Sequence, residues 1–311
     1  MRILVIGAGA LGGYFGGCLV RAGRDVTFMV RPQRAAQLAR AGLCIRSPHG
    51  DFELPVRTVL AGAVREPFDL VLVAVKSYSL TEAADQFAPA VGRSTAILPV
   101  INGMRHIESL REKFDADRVL GGMALISATL DADGHVVQLL PSHDLVFGEL
   151  SGGFSDRTGA LSAVLGGAGF SARASDVMML EMWEKWMGLA TTAGITCLMR
   201  ASIGDIVAAP GGRDAILHLL HENGAVAEAS GFKPRPQFVE YCSSLFTTAG
   251  SPLKASMLRD IERGSTTEGE HVLGDLATRA RALGVATPLL DLARIHVAAY
   301  EAGRTRETTG S

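Results

Sequence analysis

Gly7-Ala8-Gly9-Ala10-Leu11-Gly12 follows directly on the apolar run Ile3-Leu4-Val5-Ile6, and a G-x-G-x-x-G at the end of a strand is a phosphate-binding device. Gly7 permits a tight turn, Gly9 removes the Cβ that would hold a pyrophosphate away, and Gly12 lets the next helix pack closely on the strand. Amides at that helix N-terminus then face the anion. At the end of the second apolar run, Val30-Arg31-Pro32-Gln33-Arg34 carries no carboxylate to bind ribose hydroxyls. Arg31, with Arg34 assisting, offers a charge-assisted contact to a 2′-phosphate, which favours NADP(H) over NAD(H). The bland alternative for Arg31 is a solvated surface charge.

Lys76 in Ala74-Val75-Lys76-Ser77 and Asn102 in Val100-Ile101-Asn102-Gly103-Met104 each follow an apolar run. Both stand at the carboxyl ends of predicted strands, where open α/β sheets bind their ligands; a lysine there can equally face water. Lys185, in Trp183-Glu184-Lys185-Trp186, stands at the lip of the most apolar predicted helix. A lysine is costly to bury unless paired or used. Hydride arriving at a keto carbon leaves negative charge on the oxygen, and a positioned ammonium both stabilises that charge and delivers the proton. Partial burial would lower the lysine pKa from ~10.4 towards the working pH. The competing account is a lysine that snorkels from a buried helix to water.

Ser256 and Asp260 share a predicted helix face, and Thr267-Glu268 opens another helix, where a carboxylate is favoured. Capping chemistry alone accounts for this pattern; read functionally, Glu268 holds Lys185 or a cofactor hydroxyl, and Ser256 donates to substrate. Thr192 and Thr196 lie near the Lys185 face of the helix. They either supply substrate hydroxyl contacts or bond back to their own helix.

Elements able to position these groups are legible in the periodicity. Ile3 to Ile6, Val26 to Val30, Leu70 to Val75 and Ala96 to Leu98 are apolar on both faces, as buried parallel strands must be, and alternate with helical segments. Leu43 to Val59 reads as a strand pair around Ser47-Pro48-His49-Gly50-Asp51. Val119 to Thr129, Val136 to Leu140 and Leu145 to Phe147, bending around Asp133-Gly134 and Pro141-Ser142-His143-Asp144, predict an antiparallel far edge to the sheet. After Phe170 to Ala174 the pattern becomes helical almost throughout, broken at Pro210-Gly211-Gly212 and Pro234-Arg235-Pro236, with a polar tail from Gly303 to Ser311 that predicts fraying. The expectation is an α/β chain: an N-terminal Rossmann-type doubly wound sheet over residues 1–174, which binds NADP(H), and a second, all-helical C-terminal domain over 175–311 carrying substrate and catalytic groups.

Length and composition agree. At 311 residues two cores are the default, and 48% hydrophobic with 20% charged residues is ordinary for a globular protein. A net charge of -2 gives no reason to expect nucleic acid as a partner. Cys18, Cys44, Cys197 and Cys242 form no C-x-x-C pair, so neither a disulfide framework nor a metal site is expected, and a reducing cytoplasm is the simplest location. Glycines interrupt the uncharged stretch Ile3 to Val20, which reads as strand, turn and helix rather than a membrane span or leader. The uncharged run Trp186 to Met199 suits a helix buried in its own domain or against a second copy in a homodimer.

Taken together these fragments resemble the ketopantoate reductase family, the 2-dehydropantoate 2-reductases of pantothenate biosynthesis. The resemblance spans nearly the whole chain and rests on Gly7 to Gly12, Arg31, Val75-Lys76, Asn102-Gly103-Met104, Trp183-Glu184-Lys185, Ser256 to Ile261, Thr267-Glu268 and Gly284-Val285-Ala286-Thr287-Pro288. It implies NADPH-dependent reduction of a small 2-keto acid, ketopantoate to pantoate, with Lys185 as proton donor and Glu268 as the carboxylate near cofactor and lysine. Asn102 and Lys76 match the family's cleft residues and Ser256 its substrate-binding serine. Family members usually carry asparagines one and two helical turns beyond the lysine, where this chain has Leu189 and Ala193, and often another three residues before the serine, here Leu253. Loss of such hydrogen-bond partners costs on the order of 1–3 kcal/mol each, enough to change the preferred substrate. The alternatives are therefore a reductase of a different carbonyl compound on the same fold, or an NADPH-binding sensor without turnover.

Overall fold

The computed structural model describes residues 1–309. Two compact units divide the chain: Met1–Ile101 with His106–Met179, and Asn102–Arg105 with the chain from Leu180 onward.

The first unit runs β1 (Arg2–Ile6), α1 (Ala10–Arg21), β2 (Asp25–Val30), α2 (Pro32–Ala41), β3 (Leu43–Arg46), β4 (Phe52–Leu54), β5 (Arg57–Leu60), β6 (Phe68–Val73), α3 (Leu80–Phe87), β7 (Val91–Pro99), α4 (Arg105–Lys113), β8 (Gly121–Leu130), β9 (Val136–Gly148), α5 (Asp156–Leu165) and β10 (Ser171–Ala174). Its main sheet is parallel in the order β5-β2-β1-β6-β7, the Rossmann arrangement in which chain order reverses beside β1. Ile3, Leu4, Val5 and Leu70 to Val73 are fully buried, which is why these runs show no alternation. A ligand crevice belongs at the carboxyl end of β1, and the glycine turn stands there. Gly7 has φ +91°, and a Cβ on Gly12 would lie 2.0 Å from the Gly7 carbonyl oxygen, so α1 can start this close to the strand only with glycine at both places.

Three expectations about the strands need correction. Apart from Val119, which makes a single parallel bridge to Ile97 of β7, the segments from 119 to 148 do not extend the main sheet; β8 and β9 pair antiparallel in a second sheet of order β10-β9-β3-β4. Nor does the chain turn at Pro141, because β9 is continuous: between the pairs Ile126 with His143 and Ala128 with Gln138, residues 139–142 are taken up opposite Ser127. Pro141 sits in that bulge, where a missing N–H breaks no ladder bond. Likewise, the strand pair read over 43–59 is the β3–β4 hairpin alone, while β5 crosses to become the parallel edge strand beside β2.

The second unit is helical: α6 (Met178–Met199), α7 (Ile203–Ala208), α8 (Gly212–Ala229), α9 (Pro236–Phe246), α10 (Ser256–Glu262), α11 (Asp275–Ala282) and α12 (Pro288–Thr309), with a π-turn at Glu270–Gly274 leading into α11. The predicted frayed tail is helical to Thr309, supported locally by the Glu301–Arg304 ion pair at 3.1 Å and by Thr305 donating to the Glu301 carbonyl at 2.9 Å. Gly310 and Ser311 lie outside the described residues. No helix among the described residues is long and apolar enough to cross a membrane. The apolar run of α6 is instead buried in its unit, and Trp186 Nε1 donates to the Val272 carbonyl at 2.9 Å, tying α6 to the π-turn.

Beside Lys185, the Glu184 side chain is 2% exposed and accepts from the Arg235 backbone N–H at 2.8 Å and from Arg235 Nε at 2.9 Å. This pair pins the start of α9 to α6 and holds the turn of helix that carries Lys185. Arg235→Ala leaves a buried carboxylate without its cation and should destabilise the protein by about 3 kcal/mol. Denaturant unfolding measures this, and a loss below about 0.5 kcal/mol, the ordinary surface value, would show that the pair is not an anchor.

Candidate active site

The glycine turn has the features of an anion seat. Gly9 occupies the N-cap of α1, no side chain caps that terminus, and no acidic residue lies in its first turn. The donors at the helix start are thus left for a ligand, and a Cβ built on Gly9 would meet nothing within 4 Å. Gly7, Ala8, Gly9, Ala10, Leu11 and Gly12 all contribute to this turn, which fits the diphosphate of a dinucleotide.

Arg31 precedes α2 with its side chain 75% exposed. Its Nη2 lies 3.4 Å from Ser79 Oγ and 4.0 Å from Glu82 Oε2, so the absence of a carboxylate around Arg31 holds only along the sequence; α3 brings one in. Arg34 does not assist Arg31. Its guanidinium turns under the glycine turn, donating from Nε to the Ala8 carbonyl at 3.0 Å. Lys76 is exposed, at the start of a short 3-10 turn beyond β6.

In the second unit, residues far apart in sequence line one pocket. Asn102, Ser256, Asp260 and Glu268 provide its polar wall, and Leu189, Ala193, Met257 and Val272 its apolar one. Lys185 is partly buried and donates from Nζ to Asn102 Oδ1 at 3.2 Å. Burial pulls its ammonium down to a pKa of about 8, opposed by the nearby Glu268 carboxylate. Such a lysine changes protonation near neutral pH, as a general acid must. Asn102 is seated by its own neighbours: Gly103, at φ +81°, lies against His271, and the His271 imidazole hydrogen-bonds the Asn102 backbone. Burial pushes the His271 imidazole down from its ordinary value, opposed by the Glu268 and Asp275 carboxylates and by the hydrogen bond to the Asn102 backbone.

Lys185, Asn102, Glu268 and Ser256 are therefore brought together, whereas Thr192 and Thr196 are not. Their hydroxyls donate to the Gly188 carbonyl at 2.9 Å and the Thr192 carbonyl at 2.7 Å, the back-bonding typical of threonine inside an apolar helix. Thr196 Oγ1 also accepts from the Ala255 backbone at 3.4 Å, which steadies the start of α10 next to Ser256. Asp260, Met257 and Val272 escaped the sequence reading as pocket walls, although the spacing of Ser256 and Asp260 on one helix face was the available signal for the first. His271 gave none, because its contact with Asn102 spans two distant segments.

Comparison with known proteins gives the same frame. Residues 3–152 match the family model described as ketopantoate reductase PanE/ApbA, and residues 177–301 match its C-terminal counterpart. The chain is 37% identical over 302 residues to an oxidoreductase of Bacillus subtilis, YkpB, described as uncharacterized, with 97% of this chain and 99% of that one covered. The solved structure of a 2-dehydropantoate 2-reductase from Geobacter metallireducens superposes with a TM-score of 0.88 at 29% identity, over 96% of this chain and 99% of that one. A D-mandelate dehydrogenase, solved with NADH and anilino(oxo)acetate, superposes with a TM-score of 0.89 at 22% identity, over 98% and 100% of the two chains, a likeness of fold alone. Family models over both halves, with 37% identity to YkpB along nearly the whole of both chains, make this chain a member of the ketopantoate reductase family of oxidoreductases.

Proposed function

We propose that the chain is an NADPH-dependent reductase of small 2-keto acids, with Lys185 as proton donor and ketopantoate as the first substrate to test. The observation that carries this reading is the depressed lysine at the pocket, hydrogen-bonded to Asn102 and balanced by Glu268. When bound, the nicotinamide supplies a hydride to the carbonyl carbon. Lys185 transfers its proton to the carbonyl oxygen as negative charge develops there, giving a secondary alcohol. Asn102 holds the ammonium in place, Glu268 keeps it protonated through the working pH range, and Ser256 offers a hydroxyl to the substrate. Gly7 to Gly12 hold the diphosphate, and the exposed Arg31 suits a 2′-phosphate, with Lys76 as a further cation of the first unit.

Leu189, Ala193, Met257 and Val272 favour a second reading of the substrate: a 2-keto acid whose side chain is less polar than that of ketopantoate. An apolar wall leaves a substrate hydroxyl without a partner, at about 1–3 kcal/mol, or roughly 10- to 100-fold in kcat/KM.

Lys185→Ala should lower kcat by at least about 100-fold while changing the Kd for NADPH less than about twofold, because the ammonium acts on charge present only in the transition state. Equal losses in the two would make Lys185 a binding residue. The protonated lysine is the donor, so kcat/KM of the wild-type enzyme should fall as pH rises through about 8, and a flat profile to pH 10 would remove the assignment. Arg31→Ala should weaken NADPH and spare NADH, since a charge-assisted bond to phosphate is worth about 1.5–3 kcal/mol; an unchanged cofactor ratio, consistent with Glu82 at that corner, would point to NADH instead. Leu189→Asn should raise kcat/KM for ketopantoate relative to 2-ketoisovalerate by about tenfold if the apolar wall sets the preference, and no change would leave ketopantoate as the better reading.

A further inference from the structure

We propose that Arg34 is the positioning residue of the dinucleotide turn: lying beneath it, the guanidinium clasps the turn to the β8–β9 hairpin and thereby aims the Gly9 amide at the cofactor's diphosphate. This rests on the reading of the glycine turn as the cofactor seat.

Arg34 donates from Nε to the Ala8 carbonyl at 3.0 Å, from Nη1 to the Gly134 carbonyl at 2.8 Å and from Nη1 to Gln37 Oε1 at 2.6 Å. Gln37 in turn donates from Nε2 to the Asp133 carbonyl. One face of α2 thus binds the tip of the hairpin at two consecutive carbonyls. That tip is built for the purpose: Asp131 Oδ1 accepts from the backbone of Asp133 at 3.0 Å and of His135 at 2.8 Å, while Gly134, at φ +78°, closes onto the helix. A Cβ on Gly134 would lie 2.7 Å from Arg34 Nη1 and 2.2 Å from Gln37 Nε2, so a larger residue would push the tip off α2.

The consequence for the turn follows from peptide geometry. Ala8 C=O and Gly9 N–H belong to one planar trans peptide and point in opposite directions. A donor fixed on the Ala8 oxygen therefore turns the Gly9 N–H to the opposite side of that peptide, and separately the space that a Cβ on Gly9 would enter is open. Charge adds to this. All three acceptors of Arg34 are neutral, Nη2 is buried with no hydrogen-bond partner, and burial lowers the guanidinium pKa from its ordinary value. A desolvated cation of this kind is costly on its own and is relieved by an anion placed above the turn. Arg34 therefore acts on the diphosphate common to NADH and NADPH, whereas Arg31 acts on the 2′-phosphate.

Calorimetric titration of NADPH, NADH and ADP into the wild-type protein, Arg34→Gln and Gly134→Ala tests this, with kcat and the cofactor KM measured in parallel. Arg34→Gln is expected to weaken all three ligands by the same factor, about 10- to 100-fold, with the NADPH-to-NADH ratio unchanged and kcat at saturating cofactor within about twofold. Gly134→Ala breaks the clasp from the hairpin side and should give the same pattern; it carries the test if Arg34→Gln fails to fold. A loss confined to NADPH would make Arg34 a 2′-phosphate ligand and overturn the proposal, as would unchanged affinities in variants of a wild type that binds. A fall in kcat with unaltered KM would mark a general structural role, also contradicting it. Wild-type protein that binds none of the three would instead overturn the cofactor reading itself, and the clasp with it.

Discussion

Removing the Lys185 ammonium from water is the constraint around which the second unit is organised. An amine in that position keeps its proton only if something replaces the lost solvent, and the replacements are an amide oxygen from Asn102 and the field of Glu268. Neither lies near the lysine in sequence. The apolar face of α6 depresses the pKa, the two polar partners limit the depression, and the balance near 8 lets the group give up a proton and recover it. Rigid supports keep that balance: the Glu184–Arg235 pair fixes the helical turn of the lysine, Trp186 holds the π-turn through Val272, and His271 seats the Asn102 backbone. Each support removes a degree of freedom that would otherwise let the ammonium escape to water.

The first unit gathers positive potential at its glycine turn, where no acidic residue lies in the first turn of α1. Uncapped amides at the start of α1 supply part of the field, and Arg34 supplies a formal charge from beneath while its hydrogen bonds go to neutral oxygens. The second sheet, which carries no residue of the glycine turn, contributes by lending the tip of its β8–β9 hairpin as the other jaw of the clasp. Exposed Arg31 is a weaker element because Glu82 and water both compete for it.

What the residues reveal by themselves is what local periodicity encodes. The doubly buried strands, the glycine turn, the long apolar α6 and the breaks before α8 and α9 are each written in one contiguous stretch of sequence, and the structure has them where they were expected. Pairing choices are not local. Nothing within 57–60 distinguishes a hairpin partner from an edge strand of another sheet, and Pro141 reads as a turn until the bulge that accommodates it is seen. At the candidate site the same division holds: Lys185 is conspicuous as a charge beside an apolar run, and Ser256 and Glu268 by their order. The approach of Glu82 to Arg31, the descent of Arg34 beneath Ala8 and the back-bonded hydroxyls of Thr192 and Thr196 depend on side-chain torsions that no spacing rule reports.

A lysine with a lowered proton affinity can be observed directly. Protein labelled with nitrogen-15 at the lysine side chains, titrated by NMR from pH 6 to 11 with Lys185→Met to assign the resonance, gives the ionisation of this one group apart from any substrate. Lys185 is expected to titrate with a midpoint of about 8. A midpoint at the ordinary lysine value of about 10.4 would mean that the ammonium is fully solvated, and the pocket would then lack the acid on which the proposed reduction rests.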